Sequence, residues 1–266
     1  MLLAIDIGNS HTVIGLFKDD ILIGQWRFKS DRDRTDDELA IHCHGLFSMI
    51  GVQASEISGI IIASVVPSLE TSWTRYCRKY LFTQLEHPPL VVSAENIKKS
   101  IRIKTDNPDE LGADRLVNAI AAWQQYRCNL LVIDFGTAIT FDCVSAGCAY
   151  LGGAILPGIA IALDALSSRT AKLPRIDVSV GPEKVIGTNT VQAMKSGILH
   201  GYGALVDGMT QRIRVEMGCT DGELKVIATG GMAHLIAPYA QSIDALEPLL
   251  TLKGLHFLHS QQQKND

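Results

Sequence analysis

The feature that most constrains this chain is a pattern written twice: an apolar strand that ends in Asp-x-Gly and turns back through small polar residues. The first copy is Ala4-Ile5-Asp6-Ile7-Gly8-Asn9-Ser10, and the second is Val132-Ile133-Asp134-Phe135-Gly136-Thr137-Ala138. Each is followed by a readable return strand, Thr12 to Phe17 in one case and Ile139 to Val144 in the other. For a single copy an ordinary hairpin turn is an equally good reading. Two copies, each with the acid in the same place, suggest two half-sites facing one phosphate chain. Such a turn offers backbone N–H groups and a hydroxyl to a polyanion, while its carboxylate can hold a cation.

The segments between the copies repeat an architecture. Strands are expected at Leu2 to Asp6, Val13 to Lys18 and Ile21 to Lys29, then a helix from Asp36 to Ile50 that Thr35 caps with Glu38 three residues on. Ile60 to Val66 reads as a buried parallel strand stopped by Pro67, Ser72 to Phe82 as a helix, and Pro88 to Val92 as the lead into a further strand. This order is βββαβαβ. A helix is next expected from Asn107, as N-cap, through Pro108 to about Tyr126. The triplet then restarts with Leu130 to Asp134, Ile139 to Val144 and Ala149 to Ile155, followed by a helical region from Thr190 to Met217, a strand from Leu224 to Thr229 and a turn at Gly230-Gly231. Gly152-Gly153 and Pro157-Gly158 read as flexible points flanking a strand. The polar residues after Leu258 are expected to be disordered.

Composition excludes several classes of function. A net charge of -4 over 266 residues lacks the basic face that nucleic acid requires. Apolar runs such as Ile60 to Ala63 are too short to span a bilayer, and Met1 to Ile5 reads as a strand rather than a signal peptide, so a cytoplasmic protein is expected. The six cysteines show no Cys-x-x-Cys spacing, which argues against zinc ribbons and disulfide frameworks. His42 and His44 lie two apart on the expected helix and face different ways, so His42-Cys43-His44 is a poor metal site.

Five segments in order, Asp6 to Ser10, Ser64-Val65-Val66-Pro67, Gly112-Ala113-Asp114-Arg115, Asp134 to Ala138 and Gly152 to Gly158, resemble type III pantothenate kinases. That family lies within the acetate and sugar kinase/Hsc70/actin superfamily, and the resemblance covers essentially the whole chain. It implies an α/β fold of two tandem actin/ribonuclease H-like domains, each a mixed sheet flanked by helices, with an interdomain cleft. The expected domains are residues 1–116 and 117–258, with 259–266 as a tail. The activity implied is ATP-dependent phosphorylation of the pantothenate 4′-hydroxyl, the first step toward coenzyme A. Mg2+, activation by K+ or NH4+, and a homodimer are implied with it. The Thr190 to Met217 region adds to the expectation of a homodimer, since Val191, Met194, Ile198, Leu199, Leu205, Val206 and Met209 exceed one core face.

Phosphoryl transfer relies on alignment and charge neutralisation more than on a nucleophile. A carboxylate at the end of a strand, Asp6, suits Mg2+, and Gly8, Asn9 and Ser10 would cradle phosphates. The resemblance extends the ATP contacts over Asp6, Ile7, Gly8, Asn9, Ser10, His11, Thr12 and Val13, together with Gly136 and Thr137, and assigns Asp134 to K+. It makes Asp114 the base that takes the hydroxyl proton, and places Thr105, Gly112, Ala113, Asp114, Arg115 and Thr190 at the substrate. On residue type alone, Asp114-Arg115 would be a solvated helical pair and Thr190 an ordinary N-cap. The guanidinium of Arg115 suits pantothenate's carboxylate. Ser10 stands where the family usually has Thr, and Thr105 where many members carry a Tyr that contacts pantothenate. Two other functions fit the pattern less well: a kinase of another small alcohol or sugar, and a non-catalytic regulator of gene expression.

Overall fold

The structure is a computed structural model that describes residues 1–81, 85 and 87–263. In chain order the elements are β1 (Leu2–Ile7), β2 (His11–Lys18), β3 (Ile21–Lys29), α1 (Asp36–Met49), β4 (Gly59–Ser64), α2 (Pro67–Tyr76), β5 (Leu90–Val91), β6 (Arg102–Ile103), α3 (Ala113–Tyr126), β7 (Asn129–Phe135), β8 (Ala138–Ser145) and β9 (Ala149–Pro157). They continue with α4 (Ile159–Arg169), α5 (Thr190–Glu216), β10 (Leu224–Thr229), α6 (Ala233–Ile236), β11 (Ala245–Leu246) and α7 (Leu250–Gln263). Two compact units divide this chain: one takes residues 1–102, 106–121 and the segment from Leu250 onward, and the other takes 103–105 and 122–249. The division falls within α3, not between residues 116 and 117, and the last helix belongs with the first unit.

The first unit is a mixed sheet in the order β3-β2-β1-β4-β5, antiparallel from β1 to β3 and parallel from β1 through β4 to β5. One face carries Leu3, Ile5, Ile7, Ile14 and Leu16 into a core shared with Leu39 and Phe47 of α1 and Trp73 and Tyr76 of α2. The opposite face receives α7, where Leu252 fills the space that a side chain at Gly15 would take. Thr35 and Glu38 form the expected reciprocal cap of α1. His42 packs toward Phe28, and His44 lies among Phe47, Tyr76 and Tyr80, so both imidazoles serve as aromatic packing partners.

The second unit repeats the plan, with β9-β8-β7-β10-β11 in the same order as the first sheet and β6 added beside β9. Even the irregularities correspond. A β-bulge falls between Leu16 and Phe17 in the first triplet and between Cys143 and Val144 in the second, at matching places in the ladder. Leu131, Ile133, Phe135, Phe141 and Val226 form its core with Ile159 of α4 and Ile198, Leu199 and Val206 of α5.

Several sequence expectations are corrected. Pro67 does not merely stop β4: it occupies the first turn of α2, where its missing N–H costs nothing, so that helix begins five residues before Ser72. Beyond Tyr76 a π-helical turn runs Cys77–Leu81, and Phe82 lies outside the described residues. Asn107 to Tyr126 is two elements, a 3-10 turn at Pro108–Glu110 and then α3, because Leu111 is extended and breaks the run. The segment expected to be a disordered tail is helical as far as Gln263, since Leu250, Leu252, Leu255 and Leu258 bury one face; residues 264–266 lie outside the described set. Gly152 is a strand residue at the bulge with φ of 124°, and β9 runs on to Pro157 instead of hinging. On α5, Met194, Ile198, Leu199 and Val206 are buried and Leu205 and Met209 pack on the same core, leaving Val191 as the exposed member of that apolar set. Among the described residues no helix is long and apolar enough to cross a membrane.

Candidate active site

In the first unit the site is built at the carboxyl end of the parallel strands, where open α/β sheets bind ligands. Asp6 lies beside Ala63 of β4 and opposite Val13 of β2. The turn that follows is tightly tied: Gly8 N–H donates to His11 O at 3.0 Å, Ser30 Oγ donates to Gly8 O at 2.6 Å, and Ser30 N–H donates to Ser10 O at 2.9 Å. Asn9, Ser10 and His11 are exposed on it. Ile7 and Thr12 are buried, and Thr12 Oγ1 is 3.1 Å from Ser30 Oγ, so their side chains support the turn from within.

The Gly112–Arg115 segment reaches the same end of the sheet through Val65. Val65 N–H donates to Ile7 O at 3.0 Å, and a Cβ on Gly112 would sit 3.3 Å from Val65 Cγ1 and 2.5 Å from Asp114 Oδ1. The glycine therefore makes room for the carboxylate of its own neighbour. It immediately precedes α3, whose start has Leu116 N–H donating to Gly112 O, so Asp114 stands in the first turn and not two turns in. Asp114 Oδ1 accepts from Arg115 N–H at 2.8 Å. Burial raises its pKa above the ordinary carboxylate value, against the opposing pull of that N–H and of the Arg115 charge. A carboxylate held in this way is a better proton acceptor than a solvated one. Beside it lies a cavity of about 490 Å3, lined by Ser64, Val65, Val92, Ser93, Glu95 and the 109–113 segment.

In the second unit Asp134, one residue before the end of β7, lies between Thr229 of β10 and Thr140 of β8. Its turn has the same tie as the first, with Gly136 N–H donating to Ala138 O at 3.1 Å. Gly136 and Thr137 are exposed. Two glycines outside the hairpin shape this turn, and the sequence reading did not count either as a site residue. Gly158 N–H donates to Thr137 O at 3.1 Å, and a Cβ there would collide with the backbone oxygens of Gly136 and Thr137. Gly230, with φ of 90°, lies where a Cβ would collide with Asp134 Oδ1. Each follows the end of a strand, a signal visible in the sequence without its partner.

Thr105, also in the second unit, keeps its Oγ1 buried with no hydrogen-bond partner. Thr190 is the exposed first residue of α5, and the N-cap is Asn189, whose side chain accepts from Gln192 N–H at 2.9 Å. Thr190 is thus free of capping work. The donor chemistry fits the implied ions: Asp6, near the carboxyl end of β1, is a hard oxygen donor of the kind Mg2+ takes, and the absence of a Cβ at Gly230 leaves room for the oxygen donor Asp134 Oδ1.

A type III pantothenate kinase family model matches residues 2–212. A type III pantothenate kinase from Desulfotalea psychrophila is 53% identical over 265 residues, covering 99% of this chain and 100% of that protein. One from Desulfosudis oleivorans is 48% identical over 260 residues, covering 98% and 99%. Among solved structures, component A of (R)-2-hydroxyglutaryl-CoA dehydratase from Acidaminococcus fermentans aligns over 100% of this chain and 99% of its own with a TM-score of 0.55; at 13% identity it speaks for the fold alone. The fold is therefore the actin-like one, and the match over nearly the full length at such identity means that the chain belongs to the type III pantothenate kinase family.

Proposed function

We propose that this protein transfers the γ-phosphoryl group of ATP to the 4′-hydroxyl of pantothenate. Asp114 takes the hydroxyl proton, the hydroxyl oxygen forms its bond to phosphorus, and the bond from phosphorus to the bridging oxygen of ADP breaks. The observation that carries this reading is the convergence of the Asp6 turn and the Gly112–Asp114 segment on Val65 at one end of the first sheet. The Gly8–Ser10 turn holds the phosphates of ATP, and Arg115 meets the carboxylate of pantothenate. That carboxylate must point away from Glu95, Asp109 and Glu110, which line the cavity and would repel it. The unpartnered Thr105 Oγ1 supports a substrate contact that the smaller side chain makes by hydrogen bonding. Mg2+ at Asp6 and K+ at Asp134 would supply the positive charge that a polyphosphate needs. A homodimer in the cytoplasm completes the proposal. Its support is a row of small exposed residues on α5, Gly197, Gly201 and Ala204.

The test is ADP release by the purified protein with ATP and Mg2+, offered pantothenate, pantothenol and a panel of sugars. Pantothenate should be strongly preferred. Equal turnover of pantothenol would remove Arg115 from its role, and preference for a sugar would overturn the substrate.

A further inference from the structure

The two hairpins are built alike, yet they differ where β8 runs back from Asp134. In the first repeat Asp6 faces Val13, Ala4 faces Gly15, and Phe17 at the bulge faces Leu22. The matching positions in the second are Asp134 with Thr140, Val132 with Asp142, and Val144 with Tyr150. So the same fold closes with Val13, Gly15 and Leu22 in one unit and with Thr140, Asp142 and Tyr150 in the other. The architecture itself does not require a carboxylate there.

Asp142 is nevertheless fully buried, a position that costs several kcal/mol unless its oxygens are satisfied. Thr140 Oγ1 donates to Asp142 Oδ2 at 2.8 Å, and Tyr150 OH donates to Asp142 Oδ1 at 2.5 Å. A threonine hydroxyl has one proton and two lone pairs. With the proton committed to Asp142, Thr140 Oγ1 can offer only lone pairs to anything else on its face of the sheet. The residue directly across is Asp134, and opposed residues lie about 4.5–5.5 Å apart at Cβ. A carboxylate facing an oxygen that cannot donate is a repulsive pair, and a cation between them turns it into an attractive one.

We propose that Thr140 Oγ1 is a second ligand, with Asp134, of the monovalent cation, and that Asp142 is the positioning residue that fixes the hydroxyl as an acceptor. This rests on the reading of Asp134 as the K+ site. One carboxylate plus a neutral oxygen suits a large, singly charged ion, which sheds its water to neutral oxygen dipoles.

The experiment follows Tl+, a K+ surrogate, by 205Tl NMR titration of the full-length protein, alongside the K+ concentration for half-activation. Variants are Thr140→Val, which installs the residue of the first repeat, Thr140→Ser, Asp142→Asn and Asp134→Asn. Thr140→Val should weaken Tl+ binding and raise the half-activating K+ by about tenfold, the worth of one hydrogen-bond-sized contact. Thr140→Ser should stay near wild type, and Asp142→Asn should fall between. Melting in K+-free buffer checks that each variant folds, and if Asp142→Asn does not, the Val and Ser pair still decides. Tl+ binding and K+ response that vanish in Asp134→Asn but are unchanged in Thr140→Val would overturn this inference alone. A wild type that neither binds Tl+ nor responds to K+ would remove the Asp134 reading and this inference with it.

Discussion

Asp114 shows how one residue trades stability for chemistry. Its pKa is raised by burial, so between the unfolded and folded values the native state holds more protons, and stability falls as pH rises through that window. At neutral pH the ionised carboxylate is a standing cost. Asp114→Asn should therefore melt higher than wild type at pH 7, with the difference vanishing below the ordinary carboxylate pKa, while kcat drops by about 100-fold or more. In wild type, the acid limb of kcat against pH should lie above that ordinary value. A variant that keeps its kcat and its melting point would remove Asp114 from the role of base. Gly230 offers a second check at this scale. Gly230→Ala carries both left-handed strain and a collision with Asp134 Oδ1, whereas Gly218→Ala, with φ of 65° and open space around it, carries strain alone. Calorimetry should put Gly218→Ala at a cost of about 1–2 kcal/mol and Gly230→Ala well beyond it, with the K+ response lost only in the latter. Equal costs and an intact K+ response in both would mean that the carboxylate had not been displaced.

Among the elements, strands were more legible than helix starts. Period and apolar runs located both triplets, and Leu224 to Thr229 matches β10 at both ends, because buried parallel strands have no other use for such runs. Asn107-Pro108 misled, since a good cap and a Pro describe a 3-10 turn as well as an α-helix, and only the extended Leu111 separates them. The candidate site divides in the same way. The Asp-x-Gly turns could be read because all their residues are consecutive, whereas Gly158, Gly230 and the Thr140–Asp142 pair act across the sheet, where sequence shows no partner. Asp142, an acid within an otherwise largely apolar strand, was the visible anomaly. Gly158 tests how far a turn depends on such a remote partner: it packs against the Gly136–Thr137 turn and precedes α4, with its C=O accepting from Ala162 N–H at 2.9 Å. Gly158→Ala should raise the KM for ATP by about tenfold or more, on the usual scale for a displaced contact, and change that for pantothenate much less. Equal effects on both substrates would point to general unfolding of the second unit.

At the scale of the whole molecule, α5 leaves a row of small residues exposed. Apart from Val191 and Val215, its large apolar residues pack into the core of its own unit, so they are a weak argument for association. The small ones are a stronger one. Gly197 and Gly201 are exposed, with nothing within 4 Å of where a Cβ would stand, and Ala204 continues the row. Glycine in a helix interior costs about 1 kcal/mol relative to alanine, so an exposed pair one turn apart is a repeated expense that the unit itself does not recover. A second copy of the same helix would recover it, because small residues let two backbones approach closely, and a two-fold axis makes one patch serve both partners. The surroundings agree: Tyr202, next on the helix, donates to Pro157 O at 3.0 Å, and Ile155 two residues earlier is 64% exposed. Light scattering at micromolar concentration should give a dimer for the wild type. Gly201→Trp should give a folded monomer by circular dichroism, whereas Gly218→Ala, which lies beyond the helix, should stay dimeric. A wild type that is monomeric and fully active, or a Gly201→Trp protein that still dimerises, would place the interface elsewhere or remove it.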